Sequence, residues 1–200
     1  MKRSVIPIVL AGLAAFAVGI AAGMLRKQPD SVSTATVFNT PRALPDVTLS
    51  DEHSTRLARA RFLDGWDILF FGFTHCPDIC PTTLYELGQL SELLDDLSAA
   101  RQPRIWLVTV DPERDTPQVL EDYLSHFGPH FSGITGSADE IALFAAGLGV
   151  AYQRITKDAD YTISHTAALF LVDPAANQVA LFSAPHDMAS IAADYRLLTR

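Results

Sequence analysis

The pattern of apolar and polar positions divides the chain into three parts. Residues 4–25, SVIPIVLAGLAAFAVGIAAGML, carry no charge. At about 1.5 Å rise per residue, a helix of that length spans the hydrocarbon core of a bilayer. Lys2 and Arg3 flank it on one side, Arg26 and Lys27 on the other. The expectation is an uncleaved, N-in membrane anchor over residues 1–27. Ala15-Phe16-Ala17 has the small-x-small form of a signal-peptide cleavage site, but the apolar run continues past it. Residues 28–45 are polar, Ser/Thr-rich and punctuated by proline, and read as a tether. A folded domain is expected over 46–200.

Within that domain the periodicity alternates between buried strand and amphipathic helix. DVTLS and the segment around Arg56–Leu57 form a short opening hairpin. WDILFFGF, 66–73, is a continuous apolar run suited to a strand covered on both faces. Leu84, Leu87, Leu90, Leu94 and Leu97 recur at helical spacing from Pro81 to about Ser98. Proline costs nothing in a first helical turn, because its missing N–H has no partner there anyway. IWLVTVD, 105–111, is a second buried strand. Thr116-Pro117 is an N-cap followed by proline, opening a helix that ends near Gly128-Pro129. FSGIT, a helix over 138–148, a strand at AYQRI, strands at 168–173 and 179–183, and a helix from Asp187 complete the order. This succession predicts an α/β domain with a mixed sheet and helices on both faces.

Composition sharpens the picture in two ways. Apolar residues make up 48% of the chain, enough for a real core. Beyond residue 27 the chain keeps 11 of the 15 basic residues and all 23 acidic ones, a formal charge of about −12. A domain of that charge does not bind nucleic acid through phosphates.

The chemistry concentrates in FFGFTHCPDICP, 70–81, which holds both cysteines of the chain, Cys76 and Cys80. The stretch follows a buried strand and opens a helix, where backbone N–H groups stabilise a thiolate. In α/β sheets ligands collect beyond the C-terminal ends of strands. In helical geometry residues four apart share a face, with Cα atoms about 6 Å apart. That spacing fits a disulfide and fits two sulfurs on one metal ion. A bridge over three residues constrains the unfolded chain little, so a purely structural disulfide is disfavoured. Soft thiolates favour Cu(I), with imidazole a usual further ligand. Of the six histidines, His53 lies in a polar segment, and His75 points to solvent or sits near the sulfurs without ligating. His126 and His130 are separated by Gly128-Pro129. His186 and Met188 have metal-binding side chains, but the start of a helix explains them by capping and exposure. His165 immediately precedes a buried strand, on a loop that faces the cysteines in the expected fold.

GFTHCPDICP, VTVDPERDTP and YTISHTAALFLVDP together resemble the Sco/SenC family of copper-binding cytochrome c oxidase assembly proteins. The resemblance extends from about Leu44 to the last helix, plus the anchor. It implies a thioredoxin-like fold with Cys76, Cys80 and His165 as copper ligands, for Cu(I) or Cu(II). It implies a metallochaperone for the dinuclear copper site of cytochrome c oxidase subunit II. The domain would face the periplasm from the inner (cytoplasmic) membrane. Expected partners are subunit II, other copper chaperones and a thioredoxin-type thiol reductant. Ser164 and Thr166 depart from the Asp and Ser that the family often carries beside the histidine, which bears on the support of His165. Asp111 and Asp115 have two readings, support around the copper ligands or ordinary loop and cap chemistry.

The competing function is a thiol–disulfide oxidoreductase that keeps an acceptor's copper-site cysteines reduced, using Cys76 and Cys80 as a redox-active pair. Thioredoxin-type enzymes have two residues between their cysteines, not three, and usually a cis-proline where this chain has Ile163-Ser164-His165. A thiol peroxidase is disfavoured by Phe73, which stands where those enzymes carry threonine.

Overall fold

In the computed structural model, residues 31–157 and 160–200 are described. The elements run β1 (Ala35–Ala43), β2 (Leu49–Asp51), β3 (Arg56–Leu57), β4 (Trp66–Gly72), α1 (Ile79–Leu93), β5 (Pro103–Thr109), α2 (Pro117–Leu124), β6 (Phe131–Thr135), α3 (Ala138–Leu148), β7 (Tyr152–Lys157), β8 (Asp160–His165), β9 (Ala168–Val172), β10 (Asn177–Ser183) and α4 (Met188–Leu198). Eight strands form one mixed sheet in the order β1-β10-β9-β4-β5-β6-β2-β3, and β7 and β8 form a separate two-stranded ribbon. β4, β5 and β6 are parallel, and β9 runs antiparallel to β4.

β4 is the centre of this arrangement, and its sequence explains why. Ile68, Leu69, Phe70 and Phe71 are all fully buried, so both faces of the strand are covered. Successive side chains point to opposite faces. On one face Trp66 meets Tyr195 of α4, and Gly133, in register with Leu107 and Phe70, lies under Leu120 and Leu124 of α2. On the other face Phe71 packs against Phe144 of α3 and Phe170 of β9. Helices therefore cover both faces, as expected.

Several boundaries differ from the sequence reading. α1 begins at Ile79, two residues before Pro81, and stops at Leu93; Leu94 and Leu97 are in the turns that follow. β5 ends at Thr109, so Asp111 lies beyond it. β8 has no counterpart in the sequence reading, because DYTISH shows no apolar alternation strong enough to declare a strand. The tether expected over 28–45 gives way at Ala35 to β1, paired antiparallel with β10. β1 is an edge strand whose residues are mostly exposed, so it needs no apolar face and looks like a linker. The anchor expected over 1–27 lies outside the described residues. Among the described residues no helix is long and apolar enough to cross a membrane.

The approach to β1 is fixed by one side chain. Asp194 of α4, fully buried, accepts hydrogen bonds from the backbone N–H groups of Ser33, Thr34 and Ala35 and from the hydroxyls of Ser33 and Thr34. Burial opposes its charge, but the N–H groups of Thr34, Ala35 and Ser33 outweigh that and hold the pKa below the ordinary aspartate value. A depressed folded pKa means that the clamp stabilises fully above the unfolded-state pKa and is lost as pH falls through the folded one. Asp194→Ala should therefore lower stability at pH 7 by about 3 kcal/mol, and the difference from the parent should shrink as pH falls below 4. Urea denaturation of both proteins at pH 7 and pH 3.5 checks both parts.

Candidate metal centre

The end of β4 sets the position of the cysteines. Cys76 N–H bonds to the Phe73 carbonyl at 3.2 Å, closing a turn directly after the strand. Cys76 then sits just ahead of α1 and Cys80 in its first turn. Cys80 is fully buried and its backbone N–H points at Cys76 Sγ, 3.4 Å away. A Cβ at residue 72 would lie 3.0 Å from Cys80 Sγ, so glycine at the strand end is what lets the sulfur seat against the sheet. Both cysteines are free thiols in this structure.

His165 is the last residue of β8. Its ring is held edge-on against Phe70 and Phe73, with centroids 6.2 and 6.0 Å away. Nδ1 lies 3.2 Å from the Thr166 carbonyl. A carbonyl can only accept, so Nδ1 donates to it, and Nε2 is the nitrogen turned toward the sulfurs. Nε2 lies 3.6 Å from Cys80 Sγ. The ligating atoms of Cys76, Cys80 and His165 all fall within 4.8 Å of one another. Thr166 also ties the base of the ribbon, its backbone N–H and hydroxyl both donating to the Ala151 carbonyl. The His165 ring is thus oriented by a backbone carbonyl.

The two sulfurs are electrostatically unequal. The Cys80 thiol hydrogen-bonds to Cys76; against the cost of burial, this contact together with His165 and the N–H groups of Cys80 and Asp78 brings the Cys76 pKa down to about 4. The same contact, with burial next, pushes the Cys80 thiol upward. At neutral pH the pair is one thiolate, half-buried, and one protonated thiol, buried. A groove of about 260 Å³, lined by Phe73, Cys76, Ile79, Ile163 and His165 among others, gives this thiolate access to solvent.

The structure places Asp111 and Asp115 beside this group, outside ligating distance. Asp115, fully buried, accepts from Thr74 N–H at 3.1 Å, from the Thr74 hydroxyl at 2.5 Å and from the Thr109 hydroxyl at 2.6 Å. Thr74 is two residues before Cys76. Asp111, also buried, accepts from the Tyr161 hydroxyl at 2.8 Å and from Arg114 Nε. Tyr161 lies on β8 four residues before His165, and its ring lies between the guanidinium groups of Arg114 and Arg154, 3.8 and 3.9 Å from the centroid. Cap chemistry falls instead to Thr116, whose side chain accepts from Val119 N–H. One loop thus grips the cysteine arm through Asp115 and the histidine arm through Asp111.

Sequence reasoning missed Thr74, Arg114 and Tyr161. The available signal was the two-residue period of DYTISH, which puts Tyr161, Ile163 and His165 on one face. His75 is exposed and reaches the Thr74 hydroxyl at 3.0 Å. His53 is exposed, and His126 Nδ1 lies 2.8 Å from the Asp122 carbonyl. None of these three joins the sulfurs.

Fold and site together define a thioredoxin-like domain whose helix-opening cysteine pair faces a histidine across one donor set of two sulfurs and a nitrogen. The chain belongs to the SCO1/SenC family, whose family model matches residues 39–200. It is similar to a Stutzerimonas stutzeri protein named for copper binding, 40% identical over 66% of this chain and 65% of that one. It is also similar to the mitochondrial SCO1 homolog 1 of Arabidopsis thaliana, 34% identical over 72% of this chain and 43% of that one. The matches therefore span less than two thirds of these relatives' own lengths. Among solved structures, copper-bound ScoI of Bradyrhizobium japonicum aligns with a TM-score of 0.69 at 33% identity, over 78% of this chain and 98% of that one.

Two outcomes follow from this geometry. Alkylation of Cys76 by iodoacetamide should persist at pH 6, with a midpoint near the depressed pKa of about 4, while Cys80 stays unmodified; peptide mass spectrometry across a pH series reads both. Tyr161→Phe keeps every ligand and removes one hydrogen bond from the histidine arm. It should weaken copper binding roughly 10-fold or more, the usual cost of losing an outer partner of a ligand, as measured by competition with a Cu(I) chelator.

Proposed function

We propose that this protein carries copper on Cys76, Cys80 and His165 and delivers it to the dinuclear copper site of cytochrome c oxidase subunit II. The observation that carries the reading is the convergence of two sulfurs and an imidazole within 4.8 Å, reached from solvent by a groove. The donor set fits the metal. Thiolate and imidazole suit copper, the thiolates favouring the monovalent ion. Three ligands with one open side hold an ion while leaving an acceptor's ligands room to attack. The copper binding named for the relatives supports the same reading.

In this proposal residues 1–27 anchor the chain in the inner membrane, and the domain works in the periplasm. Other copper chaperones load it. Outside the cytoplasm vicinal thiols tend to oxidise, and an oxidised Cys76–Cys80 pair no longer ligates. A thioredoxin-type reductant is therefore the remaining partner. The acidic surface keeps nucleic acid away.

A second reading rests on the inequality of the two sulfurs. A half-buried thiolate beside a buried thiol is also the arrangement that thiol–disulfide exchange uses. In that case Cys76 attacks an acceptor disulfide and Cys80 resolves the mixed disulfide, leaving the acceptor as two thiols and this pair oxidised.

Anaerobic copper titration of the reduced full chain separates the two, with His165→Ala alongside and a competing chelator to set affinity. Copper carriage requires one tight ion per chain. It also requires the variant to lose more than the roughly 10–100-fold that an outer partner is worth. Weak binding that the variant leaves unchanged, together with an unaltered Cys76–Cys80 reduction potential, would instead establish the exchange reading.

A further inference from the structure

One edge of the β7–β8 ribbon has no strand beside it, because β8 pairs with β7 alone. The Thr166 N–H bonds to the Ala151 carbonyl. In an antiparallel pair the bonded residues alternate, so Ser164 and Thr162 bond to β7 and the residues between them do not. The peptide groups of Tyr161, Ile163 and His165 therefore point away from β7. Tyr161 agrees with this, since its carbonyl accepts from Arg114 Nη1 at 3.3 Å on the outer side. Its N–H donates to Asp160 at 2.7 Å. Beyond Tyr161 the edge is open. Among the described residues, no hydrogen bond from outside the ribbon reaches the N–H or C=O of Ile163.

Ile163 and His165 line one wall of the groove that leads to Cys76. The facing wall belongs to the cysteine arm and carries Phe73, Pro77 and Ile79. Ile79 is 54% exposed. Unpaired peptide groups opposite an exposed aliphatic side chain are what a strand-binding surface needs, backbone bonds for affinity and a pocket for a side chain. The rim is acidic. Among the described residues around it stand four carboxylates, Asp78, Asp111, Glu113 and Asp160, against two guanidinium groups. Arg114 is shared between Asp111 and Asp160, and Arg154 is held by Glu113 at 2.6 Å.

We infer that the outer edge of β8 docks an extended, cysteine-bearing segment of a partner protein, with lysine or arginine beside the cysteine. One residue of that segment exchanges two backbone hydrogen bonds with Ile163, as opposed residues do in an antiparallel pair. The pairing brings the segment's cysteine along the groove to Cys76. Its basic residues meet the acidic rim, which speeds encounter and selects the partner. Such docking deepens the proposed function and rests on its premise that a partner's cysteine meets Cys76. It serves copper transfer and thiol exchange alike.

The test contains no copper, so its failure leaves copper carriage standing, and the copper titration leaves the β8 edge undecided. The probe is the peptide Lys-Val-Cys-Val-Lys, its cysteine joined to thionitrobenzoate as a mixed disulfide. Cys76 thiolate attacks the peptide sulfur. The peptide–thionitrobenzoate bond breaks, a Cys76–peptide disulfide forms, and thionitrobenzoate leaves with the electron pair as a coloured thiolate. Its initial release by the reduced full chain is compared with that from the same peptide N-methylated at its three inner amides. Methylation keeps every side chain and charge but removes the donors. Each rate is divided by the peptide's rate with free glutathione. The unmethylated peptide should react roughly 10-fold faster or more, the worth of the lost backbone bonds. Glutamate in place of both lysines should slow the reaction by a similar factor in low salt, and the difference should vanish near about 1 M salt. Cys80→Ser removes the resolving thiol and so holds the adduct. In that adduct the Ile163 amide proton should exchange roughly 10-fold more slowly than with cysteamine on Cys76, as read by nuclear magnetic resonance. Equal rates for the two lysine peptides, or an Ile163 amide that exchanges alike in both adducts, would overturn the docking. Equal rates for the lysine and glutamate peptides in low salt would overturn the basic partner.

Discussion

The site depends on a pair of buried carboxylates. Asp111 and Asp115 are within 1% of complete burial, and a carboxylate in that position is tolerated only with donors around it. Asp115 finds them in Thr74, which belongs to the cysteine arm, and in Thr109 at the end of β5. Asp111 finds them in Tyr161, which belongs to the histidine arm, and in Arg114. Burial raises the Asp115 pKa, and the Thr109 and Thr74 hydrogen bonds oppose that rise. Moving either arm away leaves a buried charge with fewer donors, which costs about 1–3 kcal/mol or more per lost bond. The sheet brings the two arms to one edge, and the carboxylates hold them there. The two arms come from sequence positions about ninety residues apart, so no local propensity fixes their distance.

Much of this was legible in the sequence, and the reasons are specific. β4 announced itself because a strand buried on both faces has to be apolar at every position. The cysteines announced themselves because both fall in one turn at a helix start. His165 was reachable through its place beside a buried strand and through family resemblance. β1 was not legible, since an edge strand with mostly exposed residues has the composition of a tether. β8 was not legible either, because its sequence is polar. The ribbon stays in place through a small buried patch centred on Ile163 and through the Tyr161 ring and hydroxyl. The division of labour between Asp111 and Asp115 was hidden for the same reason. It is a relation between side chains far apart in sequence, and each aspartate taken alone beside a proline has an ordinary loop explanation.

The asymmetry of the sulfurs shows what such a clamp makes possible. Cys80 is fixed by the sheet, by Gly72 and by the helix that it opens. Cys76 lies ahead of the helix and half-exposed, and His165 sits on a ribbon outside the main sheet. The immobile sulfur is therefore the protonated, buried one, and the two groups nearest solvent are the Cys76 thiolate and the His165 imidazole. A soft cation arriving from solvent would meet the Cys76 thiolate without displacing a proton from it. Engaging Cys80 then requires its proton to leave, because only a thiolate is a full ligand. In the proposed copper carriage, grip and release would fall to different residues. The depth of Cys80 and its proton would govern how tightly an ion is finally held. The exposure of Cys76 and the anchorage of the ribbon through Tyr161 would govern how readily a partner reaches it. The ribbon lies outside the central sheet and is fixed to it by the buried Ile163 and by Tyr161, which donates to Asp111 and stacks on Arg114.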